Sequence, residues 1–285
     1  MTEVLLDTLL DTLKLIPFLF LTYLLMEYIE HKTGEKSGEK ISRAGRYGPL
    51  PGALLGLVPQ CGFSASAASL YSGGLISAGT LIAVFLSTSD EMIPILISEK
   101  VEIRVLAEIL LIKFTVAVII GFAADILLRL FRKQGSDRQI KSLCQDENCH
   151  CEDEGIVRSA IHHTLKITLF ILIISFALNT AVHFIGEDNL GKLFVDMPVA
   201  GCAAASLVGL IPNCAASVVI TELYLSGIIG TGAMISGLLT GCGIGLLVLF
   251  RANKHNMKEN VAFLAALYFS GVVVGVLTEA IGISI

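Results

Sequence analysis

The stretch Leu54-Leu-Gly-Leu-Val-Pro-Gln-Cys-Gly-Phe-Ser64 returns, altered, as Leu207-Val-Gly-Leu-Ile-Pro-Asn-Cys-Ala-Ala-Ser217. The copies lie 153 residues apart, the distance from Pro59 to Pro212 and from Cys61 to Cys214. The register continues without a gap through Leu70-Tyr71 and Leu223-Tyr224, Gly74 and Gly227, and Gly79 and Gly232. Glycine and leucine recur by chance in apolar sequence; proline, an amide and cysteine followed by Leu-Tyr at one fixed offset do not. The chain therefore carries an internal duplication, and a duplication decides the architecture before any local reading does.

Each copy is apolar, yet Pro59 and Pro212 interrupt it and an amide and a thiol follow each break: Gln60 with Cys61, and Asn213 with Cys214. Proline removes a backbone donor and clashes with the preceding turn. In a bilayer the freed backbone groups need partners inside protein or in a wet cavity. Paired, proline-interrupted apolar segments in two halves point to a transporter's binding site.

Composition supports a membrane setting. Of 285 residues 54% are hydrophobic and only 16% charged, and mean hydropathy is +0.78; soluble domains are about a quarter charged. Several apolar runs exceed the roughly 20 residues that cross a bilayer. The net charge of −5 matters less than where the charges lie. No basic patch with aromatics suggests nucleic acid. Three of seven cysteines cluster in one polar loop and four lie in apolar segments, which is not a secreted disulfide framework.

Taken in order, a first span runs from about Val4 to Ile29, long enough to remain as a span rather than a cleaved leader. Lys32, Lys36, Lys40, Arg43 and Arg46 follow it, so the positive-inside rule places the N-terminus outside the cell membrane. Two short apolar halves, Leu50 to Val58 and Gly62 to Tyr71, flank Pro59; the second is rich in small residues, including Ser64, that let helices approach closely. A full span is expected from Leu75 to Ile97. It contains Ser87-Thr88-Ser89-Asp90-Glu91 and then Pro94, read as a further helix break. Carboxylates within a span are expensive and mark function by default. Another span, about Val105 to Leu130, contains Lys113, which is either a counter-ion to Asp90 or Glu91 or a snorkelling cation.

The polar loop that follows carries Cys144, Cys149, His150 and Cys151 among acidic residues. Thiolates and imidazole suit soft or borderline metals such as Zn²⁺ or Cu(I), and the loop's basic residues place it in the cytoplasm. The second half repeats the pattern: a span His162 to Phe184, the broken copy with Asn213, Cys214 and Ser217, a full span from about Ile228 to Phe250, and a last span to Ile283. Three units result: membrane repeat A over residues 1–131, the cytoplasmic loop over 132–157, and membrane repeat B over 158–285.

Charge bias makes equivalent loops of the two repeats lie on opposite sides. The fold class expected is thus an all-α polytopic membrane protein of two inverted-topology repeats, each with proline-broken half-helices in a re-entrant hairpin plus full spans. Inversion requires an odd number of crossings per half. Three spans and a hairpin meet this, giving six spans in all; five spans per half, giving ten, meet it too. Two hairpin tips near the midplane would bring Gln60, Cys61, Asn213 and Cys214 together.

Pro59-Gln-Cys-Gly-Phe-Ser64, the Ser87-to-Glu91 run with Pro94, and the Cys/His loop together resemble a family of ten-span heavy-metal exporters, also labelled arsenic efflux proteins or manganese transporters. The resemblance covers nearly the whole chain and implies export of a metal or metalloid ion. Two substrates fit the residues. A hard cation such as Mn²⁺ suits the oxygens of Gln60, Ser64, Ser87, Thr88, Ser89, Asp90, Glu91, Asn213 and Ser217, with proton antiport carried by the carboxylates. An arsenite or organoarsenical permease would instead use Cys61 and Cys214, with Cys242 as a further thiol. A channel and an intramembrane enzyme are the remaining classes; no His-Glu-x-x-His motif is present, and Gly241-Cys-Gly-Ile-Gly245 lies in a span and follows no strand. The expected partners are the metal or metalloid ion and the lipid bilayer, with no resident cofactor; self-association into a homo-oligomer stays open.

Overall fold

The computed structural model describes residues 9–10, 12–13, 16–17, 19–25, 28, 47–89, 92–131, 156–185, 198–213 and 215–282. Among these residues the regular structure is entirely helical: scattered helical positions between 9 and 28, then α1 (Pro49–Gly56), α2 (Cys61–Ser72), α3 (Ala78–Ser87), α4 (Met92–Ser98), α5 (Ile103–Phe131), α6 (Ile156–Ile185), α7 (Pro198–Gly209), α8 (Ala215–Leu225), α9 (Thr231–Thr240), α10 (Gly245–Ala252), a 3₁₀ turn (Lys254–Asn256) and α11 (Met257–Ile281).

The duplication read from the sequence reappears as matching helix boundaries. A shift of 153 residues carries Ala78–Ser87 onto Thr231–Thr240 at both ends, and places α1, α2, α4 and α5 within a few residues of α7, α8, α10 and α11. The repeated Leu-Tyr and Gly residues now have a physical account. Gly74 and Gly227 both take positive φ, 75° and 74°, the left-handed conformation that glycine tolerates best. The Leu75 amide donates to the Leu70 carbonyl (2.9 Å) and the Gly74 amide to that of Tyr71 (3.0 Å); Ile228 to Leu223 (3.0 Å) and Gly227 to Tyr224 (2.9 Å) repeat the pair. This is a Schellman cap, and it ends α2 and α8 alike.

At 1.5 Å per residue α1 is roughly 12 Å long and α2 roughly 18 Å, each too short for a hydrocarbon core of roughly 30 Å. Pro59 and Pro212 lie in the non-helical links 57–60 and 210–213, as the sequence implied. The expected full spans Leu75–Ile97 and Ile228–Phe250 are different: each is itself interrupted, after α3, where Thr88 and Ser89 are non-helical, and at 241–244 between α9 and α10. Pro94 is not in that interruption. It occupies the first turn of α4, where a helix has no use for the missing amide hydrogen.

The interrupted spans form the core. Of the most apolar stretch, 75% is buried inside the protein for α3–α4 and 83% for α9–α10, against 22% for α5 and 28% for α11. Broken helices must be surrounded by protein because their unsatisfied backbone groups find no partners in lipid; unbroken α5 and α11 satisfy their own and can face it. The outward residues of α5 and α11 are correspondingly apolar, among them Leu111, Ile119, Phe269 and Val273.

Within each half the packing repeats: α3 lies against α1 and α5, and α9 against α7 and α11. Asp125 on α5 accepts from the Gly79 amide (2.8 Å) and the Ser77 hydroxyl (2.7 Å), and Glu279 on α11 accepts from the Gly232 amide (2.9 Å). Each carboxylate therefore caps the positive N-terminal end of a buried short helix. Between halves the contacts are reciprocal. Helix α10 packs on α2, and its repeat counterpart α4 packs on α8, while α3 meets α9.

Candidate functional site

Three of the four chain interruptions converge on one small cavity. Thr88 and Ser89 come from the break after α3, with Met92 at the start of α4; Asn213 comes from the link before α8, with Ser217 on that helix; Gly241 and Gly243 come from the break after α9, with Leu238 in its last turn. Lys113 enters from the middle of α5. Both repeats therefore contribute to one polar space in the buried core.

The hydroxyls are oriented by local helix geometry. Thr88 Oγ1 donates to the Val84 carbonyl (2.8 Å), and Ser89 Oγ to the Ser87 carbonyl (3.0 Å). With its hydrogen committed to backbone, each oxygen has its lone pairs as its remaining polarity, which suits a cation. Ser87 is spent differently: it is fully buried and its hydroxyl is shared between the Ala83 and Val84 carbonyls at 2.8 and 3.0 Å. Asn213 is buried, and its Oδ1 accepts a long bond from the Ala215 amide (3.4 Å), a cap on the start of α8.

Lys113 is 1% exposed. It lies nine residues, roughly 14 Å, along α5 from exposed Arg104, so its ammonium does not snorkel to the interface. Its Nζ donates instead to the Thr88 carbonyl and, at 2.7 Å, to the Leu238 carbonyl. Both acceptors are at the C-terminal ends of short helices, α3 and α9, where carbonyls lack helical partners and the dipole favours positive charge.

Of the residues singled out from sequence, the structure brings Thr88, Ser89, Asn213 and Ser217 together. Gln60 and Cys61 lie at the start of α2 and outside that cavity's lining. Ser64 is 1% exposed, donates to the Cys61 carbonyl (2.8 Å) and packs against Gly245 of α10. Asp90, Glu91, Cys214, Cys144, Cys149, His150 and Cys151 lie outside the described residues. Among the described residues no group of three or more His, Cys, Asp or Glu side chains gathers as a metal cluster. Sequence reading passed over Gly241 and Gly243, taken only as span residues. Their signal was present, because Gly-x-Gly-x-Gly inside an apolar run is a backbone break waiting for a partner.

A family model described as "Putative, 10TM heavy-metal exporter" matches residues 1–150 and 127–278. Comparison with curated proteins found no match, and neither did comparison with solved structures. The two matched segments together span almost the whole chain, including every helix that lines the cavity, and the chain belongs to this heavy-metal exporter family of multi-pass membrane proteins.

Proposed function

We propose that the chain is a secondary transporter that exports a hard divalent cation such as Mn²⁺ across the cell membrane, in exchange for protons. The observation that carries this reading is the cavity where chain breaks from both repeats meet. Thr88, Ser89, Asn213 and Ser217 offer it neutral oxygens, and two helix C-terminal ends face it. Oxygen donors suit Mn²⁺ better than soft ions. Of the described cysteines, Cys61, Cys202 and Cys242 are buried and are not among its lining residues, which favours the cation over a thiol-bound arsenical.

The exchange mechanism follows from the duplication. The charge bias of the loops supports inverted repeats with the N-terminus outside. On this reading the α1–α2 and α7–α8 pairs are re-entrant hairpins, since neither member is long enough to cross. Inverted repeats exchange shapes about a shared midplane site and so expose it to each side in turn. The carboxylates Asp90 and Glu91 have Gly243 and Ile244 as counterparts 153 residues on, so the scaffold is symmetric and its acid pair is one-sided. Such a pair can hold a proton when the cation leaves.

Cells expressing the protein are expected to tolerate Mn²⁺ better than cells without it, and proteoliposomes to show proton counterflow with Mn²⁺ flux. The tolerance screen runs Mn²⁺, Zn²⁺, Co²⁺, arsenite and methylarsenite in parallel. Protection against the arsenicals alone would replace this reading with the thiol one, and Mn²⁺ flux without pH change would leave the acids as ligands only.

The cytoplasmic loop is assigned an accessory role, because export needs a pathway through the spans and the loop ligands lie outside it. Replacing residues 144–151 with a Gly/Ser linker is expected to lower apparent affinity while transport continues. Complete loss of flux with normal membrane insertion would make the loop part of the pathway.

A further inference from the structure

We propose that the Lys113 ammonium is the resident cation of the cavity, and that the exported cation must displace it to bind. The inference rests on the cation reading above and adds to it a residue that sets selectivity. Its basis is where the ammonium lies. Lys113 lines the cavity itself and is fully enclosed. It bonds the Thr88 carbonyl at the end of α3 and the Leu238 carbonyl in the last turn of α9. Those are the carbonyls that a bound cation would seek, since both stand at the negative ends of helix dipoles. One positive charge already answers them.

The charge is also one-sided. Gly121 on α5 packs against the Gly79 carbonyl and Ala83, and Gly275 on α11 packs against the Gly232 carbonyl and Ser236. That correspondence carries Lys113 onto Leu267, which is completely buried. Repeat B thus fills with a leucine the position that repeat A gives to a lysine. A buried charge costs free energy that packing alone would not retain; here it neutralises two helix ends that belong to different repeats.

A tethered ammonium competes at high effective concentration with any ion that enters. A free monovalent cation offers the carbonyls nothing that the ammonium does not. A divalent cation offers twice the charge to the same oxygens, and like charges a few ångströms apart in a low-dielectric site cannot both stay. Lys113 therefore discriminates divalent from monovalent cations by penalising both and letting only the stronger one win. It acts as a positioning and selectivity residue, not as a ligand.

The test uses the purified full-length chain with the loop ligands replaced (C144S, C149S, H150Q, C151S), titrated calorimetrically with Mn²⁺ and with Zn²⁺. K113M is expected to bind Mn²⁺ about tenfold more tightly than the parent, and to become sensitive to Na⁺ or K⁺ as competitors where the parent is not. K113R keeps the charge and stays close to the parent. Should K113M fail to fold, K113Q retains a donor for the carbonyls without the charge and is expected to show the same tightening. Its thermal midpoint should also rise more with Mn²⁺ than the parent's does. A merely structural lysine would loosen binding or leave it unchanged when neutralised. Metal binding by the parent with no tightening in K113M or K113Q overturns the displacement role alone. Absence of Mn²⁺ and Zn²⁺ binding in parent and variants alike overturns the cation reading and this inference together.

Discussion

Asp90→Asn is expected to abolish Mn²⁺ export, lowering flux in proteoliposomes by about a hundredfold or more, whereas Cys61→Ser and Cys214→Ser retain much of it. Asp90 follows Ser89 and precedes Met92 by two residues, and both neighbours line the cavity and are almost completely buried, at 2% and 0% exposed. Hydroxyl and amide oxygens alone hold a divalent ion weakly, because they carry no charge to offset its desolvation; a carboxylate supplies that charge and suits Mn²⁺. Outer-shell changes around metals already cost about 10–100-fold, so losing the charged oxygen itself costs at least the upper end of that range. Cys61 is buried at the start of α2, away from the cavity's lining, and its substitution by serine is close to isosteric. Arsenite flux that survives Asp90→Asn but falls with Cys61→Ser would reverse the assignment. Equal tolerance of all three substitutions would remove this site from the pathway.

Gly79→Ala is expected to cost about 3 kcal/mol or more, at the upper end of overpacking effects, and Gly79→Leu to leave no folded protein. A Cβ at position 79 would stand 2.1 Å from the Gly121 carbonyl oxygen and 2.5 Å from Asp125 Cγ. Neither can yield cheaply. The first is backbone in the middle of a long helix, and the second is the carboxylate that caps α3 through the Gly79 amide and Ser77. The counterpart Gly232 meets the Gly275 carbonyl at 2.5 Å and Glu279 Oε2 at 2.4 Å, so Gly232→Ala should behave alike. Gly227→Ala is the control. Nothing lies within 4 Å of its added methyl, and its only penalty is the positive φ of 74°, about 1 kcal/mol. Thermal midpoints of the detergent-solubilised variants should rank Gly79→Ala well below Gly227→Ala; the opposite order would refute the close contact between α3 and α5.

Much of this protein was determined by its sequence alone, because the relevant physics is local. An apolar run of sufficient length is a membrane segment whatever surrounds it. Pro59 and Pro212 break their helices wherever they sit, since the missing amide hydrogen belongs to the residue itself. The shared Leu-Tyr and Gly positions recur because the same cap, with the same positive φ, ends α2 and α8. The fixed offset of the two copies carried the duplication, and the matching bounds of α3 and α9 follow from it.

What only the tertiary structure decided depends on partners far along the chain. The interruptions at 88–89 and 241–244 contain no proline, and hydropathy reads Ser, Thr and Gly there as mild members of a continuous span. They open because protein encloses them and supplies the partners that lipid could not. The destination of Lys113 was undecidable from sequence, which left it as a counter-ion to Asp90 or Glu91, both outside the described residues, or as a snorkelling cation, and gave no sign of the carbonyls it bonds. The Leu238 carbonyl that holds it lies 125 residues away in the other repeat. Asp125 and Glu279 acquire their capping role only because α3 and α9 pack their first turns against them. The reciprocal seating of α10 on α2 and α4 on α8 brings breaks from both repeats to one cavity. No periodicity along either repeat encodes that seating, because it is a property of how the two copies fit each other.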